Sequence, residues 1–162
     1  MAEEYDKIKS WMLENGVGYR VISHGAVHRV GDEGQELGGP AVTKCLLLTD
    51  SKAGRVFMVA MRGEERLDLK KLAASLGVGR LQFVHFEDVK KLAGIEPGTV
   101  SVFNVVLPEF QKGIELIFDK NLLSKVEIGF HPNRNTATLL TSPKDVLRFC
   151  EDYFKFVSLL SL

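Results

Sequence analysis

The sequence predicts an α+β fold: a mixed, largely antiparallel sheet that curls into a partly closed barrel, with helices flanking it. Three observations lead there. Helix-period stretches alternate with many short strand-like ones, and the 162 residues carry 45% hydrophobic content, enough for one core. The longest apolar run, Val56 to Met61, is far below the roughly 18 residues that span a bilayer. No repeat, low-complexity tract or linker divides the chain, so residues 1–162 are read as a single domain.

The elements follow in order. Tyr5, Ile8, Trp11 and Met12 recur at helical spacing before Asn15-Gly16, which marks an amphipathic helix with a left-handed stop. Tyr19 to Ser23 reads as a short strand. From His24 to Pro40 five glycines interrupt any apolar period, and the segment is expected to be a long surface loop covering a site. Val42 to Thr49 and Arg55 to Met61 form a hairpin of buried strands. Asp68 caps a helix carrying Leu69, Leu72, Ala73 and Leu76, closed by Gly77.

Leu81 to Val84 is a short strand, Glu87 to Ala93 a short helix, and Pro97-Gly98 a turn into an expected strand from Thr99 to Val106. Ile114 to Asp119, Val126 to Phe130 and Thr136 to Thr141 read as three more strands. Ser142 as N-cap, Pro143 at the first helical position and Asp145 at the third open the last helix, with Val146, Phe149, Cys150 and Tyr153 on one face. The apolar tail from Phe154 to Leu162 either packs back or meets a partner.

Charge narrows the function classes. Lys and Arg number 21, Asp and Glu also 21, so no global field holds a polyanion. No secretory pattern appears in the acid-rich N-terminal stretch, and a cytoplasmic location is expected. Cys45 and Cys150 then read as buried small hydrophobes, with a disulfide as the alternative.

Several chemistries fit poorly. His24 and His28 are four apart, but Gly25 breaks the helix that zinc ligation would need, so no metal and no cofactor is expected. The glycines from Gly31 to Gly39 alternate with Asp32, Glu33 and Glu36, which would repel a phosphate. Gly-x-Ser-x-Gly is absent. Cys45 beside Lys44 suggests an activated nucleophile, yet it sits in an apolar strand run.

Lys44 is more informative. It is the one charge in Ala41-Val42-Thr43-Lys44-Cys45-Leu46-Leu47-Leu48, and burying an ammonium costs several kcal/mol unless a polar cleft receives it. The alternative is a lysine on the solvent face of the hairpin. A second anomaly is Gly129-Phe130-His131-Pro132-Asn133-Arg134-Asn135-Thr136, which joins two apolar strands with hydrogen-bonding side chains; Pro132 restricts His131 before it. Together Lys44 and His131 point to a site.

Three segments resemble the motif regions of the YbaK/prolyl-tRNA synthetase-associated editing domains: Thr43 to Leu48, Glu96-Pro97-Gly98-Thr99-Val100-Ser101, and Phe130-His131-Pro132-Asn133-Arg134-Asn135-Thr136-Ala137-Thr138. The resemblance runs from about His24 to Phe149 and is strongest to free-standing members that deacylate mischarged tRNA in trans. It implies that family's mixed α/β barrel-like fold. It further implies that Lys44 is the family's essential lysine, near the 3′-terminal adenosine or its phosphate. Gly98 matches the glycine of the Gly-x-x-x-Pro loop around the ester, and His131 the histidine of the aminoacyl pocket.

Lys44 and Gly98 are therefore the candidate catalytic residues, with His131, Cys45, Ser101, Thr99 and Asn135 as candidate substrate-binding residues. Two departures stand out: Val102 replaces the loop proline, and Cys45 replaces the asparagine of alanine-specific members. The implied activity is hydrolysis of a small amino acid such as alanine, cysteine or serine from tRNA-Pro or a related tRNA. Implied partners are an aminoacyl-tRNA synthetase and the tRNA acceptor end, for which a local patch suffices, with Arg62, Arg66, Lys70, Lys71 and Arg80 as candidates and weak binding of shallow salt slope expected; no membrane is implied. The alternatives are a non-catalytic binding or regulatory module on the same fold, and a small-molecule thioesterase or ester hydrolase.

Overall fold

The computed structural model describes residues 2–26, 41–95, 98–108, 110 and 113–162. Their elements are α1 (Ala2–Glu14), β1 (Arg20–Ser23), β2 (Ala41–Asp50), β3 (Val56–Arg62), α2 (Leu69–Leu76), β4 (Leu81–Phe83), α3 (Phe86–Ala93), a 3₁₀ helix (Val102–Val106), β5 (Glu115–Asp119), a second 3₁₀ helix (Lys120–Ser124), β6 (Ile128–Phe130), β7 (Ala137–Thr141), α4 (Pro143–Tyr153) and β8 (Val157–Leu160). The predicted glycine-rich loop falls largely outside the described residues, as do His28 and Gly31 to Gly39.

The strands form one mixed sheet in the order β1-β7-β6-β2-β3-β5-β8, with β4 paired to β2. Among the described residues the path is open, ending at β1 and β8, so the curl stops short of a closed barrel. β2 organises the site. Its one edge pairs with β3 from Thr43 to Thr49. Its other edge is shared, pairing in parallel with β6 at Ala41 and Val42 and antiparallel with β4 from Leu48 to Asp50. Between those two pairings lies an interval of β2 edge, around Thr43 to Leu46, that no described strand covers.

Alternation along β2 separates two cores. Cys45 and Leu47 face the larger one, built on Trp11, Phe103, Phe130, Phe149 and Cys150. Leu46 and Leu48 face the smaller one, where Leu72 and Ala73 of α2 pack on Phe57, Val59 and Met61. The helix ends obey their sequence signals: Asp68 accepts from the Lys70 and Lys71 N–H groups at 3.1 Å, and Gly77 takes φ 67°. Ser142 accepts from the Asp145 N–H at 3.2 Å, with Pro143 in the first turn. Trp11 closes α1 on α4 through its indole N–H to Asp152, 2.8 Å, and its edge on Phe149.

Two tail and loop expectations resolve differently. The tail packs back: β8 pairs in parallel with β5, and Leu160 and Leu162 reach the smaller core. The strand expected from Thr99 to Val106 is a 3₁₀ helix instead. Ser101 accepts from the Phe103 N–H at 3.2 Å, and the Asn104 side chain returns to the Ser101 N–H at 2.6 Å. This reciprocal capping satisfies backbone groups locally, which outcompetes the strand propensity of Val102, Val105 and Val106.

Candidate active site

Lys44 and His131 come to one level on one face of the sheet. Val42 lies opposite Gly129 in the parallel β2–β6 pairing, and Lys44 and His131 each follow two residues later. Gly129 and Phe130 lie opposite Leu140 and Leu139 on β7, which brings Thr138 level with His131. His24 follows the Ser23–Ala137 pair of β1 and β7, its N–H donating to the Thr136 carbonyl at 2.9 Å. Lys44, His131, Thr138 and His24 thus form a polar row on one face of the sheet, which at Lys44 meets the smaller apolar core through Leu46 and Leu48.

Hydrogen bonds orient the two rings. His131 Nδ1 lies 3.0 Å from the Ala137 carbonyl, which only accepts, so the neutral ring carries its proton on Nδ1 and presents Nε2 as an acceptor. His24 Nδ1 donates likewise to the Gly25 carbonyl at 2.8 Å, and its Nε2 accepts from the Thr138 hydroxyl at 2.9 Å. The ring centroids are 5.9 Å apart. Gly129 gives this row its floor: an added Cβ would stand 2.7 Å from Thr138 Cγ2 and 2.9 Å from Leu140 Cδ2. The Thr43 hydroxyl donates to the Gly129 carbonyl and ties the strands together here.

Lys44 is half-buried on the face of Leu46 and Leu48, and its ammonium donates to the Glu65 carbonyl. Burial pulls its pKa below the ordinary lysine value, with the nearby Glu65 carboxylate opposing. Neither a solvent-facing nor a sealed lysine describes it: the charge sits at the rim of an apolar core, beside polar neighbours.

Cys45 points the other way, into the larger core. The residue is only partly covered, but its sulfur is deep enough that burial pushes the thiol up to about 12, against the pull of the Val102 N–H beside it. The two departures noted in the sequence therefore meet. A proline at 102 would have no N–H to offer the sulfur. Cys150 is buried, its thiol likewise pushed up, and both cysteines are reduced. At neutral pH iodoacetamide is expected to modify either thiol at less than about a hundredth of the free-thiol rate, because the thiolate is the reacting form. Mass spectrometry of alkylated protein measures this, and rapid labelling of Cys45 would reopen the nucleophile reading.

The segment after Gly98 is fastened to the turn after His131. Asn104 donates to the Thr99 carbonyl at 3.1 Å and to Asn133 Oδ1 at 2.6 Å, while Asn133 donates to the Phe103 carbonyl at 3.3 Å. Gly98 is exposed, Thr99 half-buried and Ser101 buried. Ser101 is spent on structure, its hydroxyl capping the 3₁₀ helix and its N–H held by Asn104. Asn135 is half-buried in the same turn. Arg134 lies over the Tyr5 ring at 4.6 Å, docking the turn on α1.

Sequence reasoning singled out Lys44, Gly98 and His131, left out Asn104 and Thr138, and weighed His24 only as a zinc ligand with His28. Asn104 had a signal, an amide alone in the apolar run Val102 to Leu107. The other two become visible only through strand register. Of the basic candidates, Arg66, Lys70, Lys71 and Arg80 are exposed, whereas Arg62 is ion-paired with Glu64 and Glu65. Among the described residues no group of three or more His, Cys, Asp or Glu is placed to hold a metal ion, and no helix is long and apolar enough to cross a membrane.

Known proteins resemble this chain in sequence and in fold. The aminoacyl-tRNA editing domain model matches residues 24–149. The prolyl-tRNA editing protein ProX of Acetoanaerobium sticklandii is 29% identical over 133 residues, covering 80% of each chain. Prolyl-tRNA synthetase associated domain-containing protein 1 of Danio rerio is 31% identical over 113 residues, 68% of this chain and 60% of that one. A crystal structure of a proposed trans-editing enzyme for prolyl-tRNA synthetase superposes with TM-score 0.74 at 21% identity, over 98% of this chain and 96% of its own. With a match spanning most of its length and containing every residue of the polar row, the chain belongs to the aminoacyl-tRNA editing domain family.

Proposed function

We propose that the protein hydrolyses the ester of mischarged aminoacyl-tRNA in trans, removing a small amino acid such as alanine, cysteine or serine from tRNA-Pro or a related tRNA. The observation that carries this reading is the rim-placed Lys44 ammonium at the level of His131, within a chain of the editing family. Lys44 anchors the 3′-terminal adenosine or its phosphate. Being only partly desolvated, it interacts with an anion more strongly than a fully solvated lysine does.

Water attacks the ester carbonyl, and the resulting oxyanion is met by backbone donors near Gly98. The Ser101 N–H is already taken by Asn104 and Pro97 has no N–H, so the donors begin at Gly98 itself. One such donor contributes about 3 kcal/mol to transition-state stabilisation. The vicinal ribose hydroxyl helps to position the attack, in keeping with a site that needs no nucleophilic thiol: Cys45 is protonated at neutral pH. Thr99 and Asn135 border the pocket from the loop and the turn, while Cys45, turned into the larger core, packs behind β2.

His131 presents Nε2 to the aminoacyl group and limits the volume beside it. His131→Ala is expected to change which aminoacyl-tRNA is cleaved more than how fast the preferred one is cleaved. Initial rates on alanyl-, seryl- and cysteinyl-tRNA-Pro measure this, and an unaltered order of rates would remove His131 from the pocket. Release of amino acid from mischarged tRNA by the purified protein tests the function as a whole. Binding of tRNA or of a synthetase without release would make it a regulatory module. Arg66, Lys70, Lys71 and Arg80 supply the acceptor-end contacts, and a cytoplasmic location follows from the substrate.

A further inference from the structure

Asn104 and Asn133 are both carboxamides inside the molecule, 0% and 5% exposed, and they touch different halves of the candidate site. Asn104 lies on the 3₁₀ helix that follows the Gly98 loop. Its side chain makes three bonds, accepting from the Ser101 N–H and donating to the Thr99 carbonyl and to Asn133 Oδ1. Asn133 lies in the turn that follows His131, where its N–H donates to the His131 carbonyl across Pro132 at 3.0 Å. It alone among the described non-glycine residues has positive φ, 61°. Asparagine tolerates that conformation better than most residues, yet glycine adopts it at less cost.

The turn geometry therefore does not require asparagine at 133; the side chain does. Its amide reaches two partners on the other segment, Asn104 Oδ1's neighbouring amide nitrogen and the Phe103 carbonyl. Buried amides without partners are costly, so the pair tolerates only a narrow range of relative placements of the two segments. One segment presents the backbone donors near Gly98, and the other presents the His131 ring.

We infer that the Asn104–Asn133 amide pair is a positioning lock that sets the Gly98 loop against the His131 turn. The inference rests on the deacylation reading for its kinetic consequence, but the lock itself is a property of the two segments. Neither amide touches the ester; both act through the backbone they hold. Misplacing the oxyanion donors by an ångström slows the chemical step while leaving the tRNA contacts at Lys44 and on α2 in place.

Asn133→Gly tests this, because glycine keeps the positive φ and deletes only the side chain. Two measurements are made on the full chain: steady-state kinetics on mischarged tRNA-Pro, and hydrogen exchange of the Ser101 amide by NMR. The expected result is a fall in kcat of about 100-fold with KM changed less than about twofold, and faster Ser101 exchange. A rise in KM at unchanged kcat, or wild-type kinetics with wild-type Ser101 protection, would overturn the inference. If Asn133→Gly does not fold, Asn133→Asp keeps the acceptor for Asn104 and loses the donor to Phe103; it is expected to lower kcat, again at constant KM. If the wild-type protein releases no amino acid, the deacylation reading fails, and Ser101 exchange alone decides the lock.

Discussion

Lys44→Ala is expected to lower enzyme-dependent deacylation by on the order of 10³-fold, the upper range for removing one preorganised electrostatic contact at a reacting centre. The protein is expected to stay folded, because Lys44 contributes one hydrogen bond to the Glu65 carbonyl and sits at the rim of its core. Far-UV circular dichroism and rates on mischarged tRNA check both halves. Full activity would remove the lysine from the mechanism, and an unfolded variant would make it structural. The same residue predicts a pH limit. Burial disfavours its charged form, so the activity that needs the ammonium is lost as pH rises through a value below the ordinary lysine pKa of about 10.4. The uncatalysed ester hydrolysis is subtracted at each pH. Stability runs the opposite way: the unfolded chain binds this proton more tightly, so Lys44 favours folding increasingly as pH climbs from its lowered native value towards 10.4.

Gly129→Ala carries the largest expected effect on stability, about 1–3 kcal/mol, from overpacking a strand with neighbours on both sides. The new methyl would meet Thr138 Cγ2 at 2.7 Å and Leu140 Cδ2 at 2.9 Å. Leucine can turn away, but threonine is branched at Cβ and has few rotamers, and its hydroxyl holds His24. Relief of the clash therefore moves the polar row. Urea denaturation is expected to show a lower midpoint at unchanged slope, together with reduced kcat. A wild-type midpoint would mean that β6 and β7 have slack that the packing does not suggest.

Much of this architecture was legible in the sequence where one local signal dominated. The Ser142-Pro143 helix start, the Asp68 cap and the Gly77 stop depend on neighbours within a turn, and each formed as read. The segment from Thr99 to Val106 misled because branched apolar residues favour strands, while Ser101 and Asn104 cap each other across three positions. An amide in an apolar run is the same kind of anomaly that made Lys44 conspicuous. Register was not legible: nothing local to His24 or Thr138 indicates that β1 and β7 bring them beside His131. Nor did the sequence separate Lys44 from Cys45 by face, although strand alternation required it once β2 was placed.

Charge balance constrains how the substrate is held. With 21 basic and 21 acidic residues, and Arg62 already ion-paired, the exposed cations around α2 can neutralise only a few phosphates. Each phosphate contact contributes about 0.7–0.9 to the slope of log affinity against log salt, so a weak, shallow dependence is expected. The central claim is ester hydrolysis at the Lys44–His131 face. The most direct measurement is a time course of amino acid release from alanyl-, seryl-, cysteinyl- and prolyl-tRNA-Pro by the purified protein, with Lys44→Ala alongside. Release of at least one small amino acid, sparing prolyl-tRNA-Pro and absent with Lys44→Ala, is the predicted result; no release above buffer from any of them would contradict it.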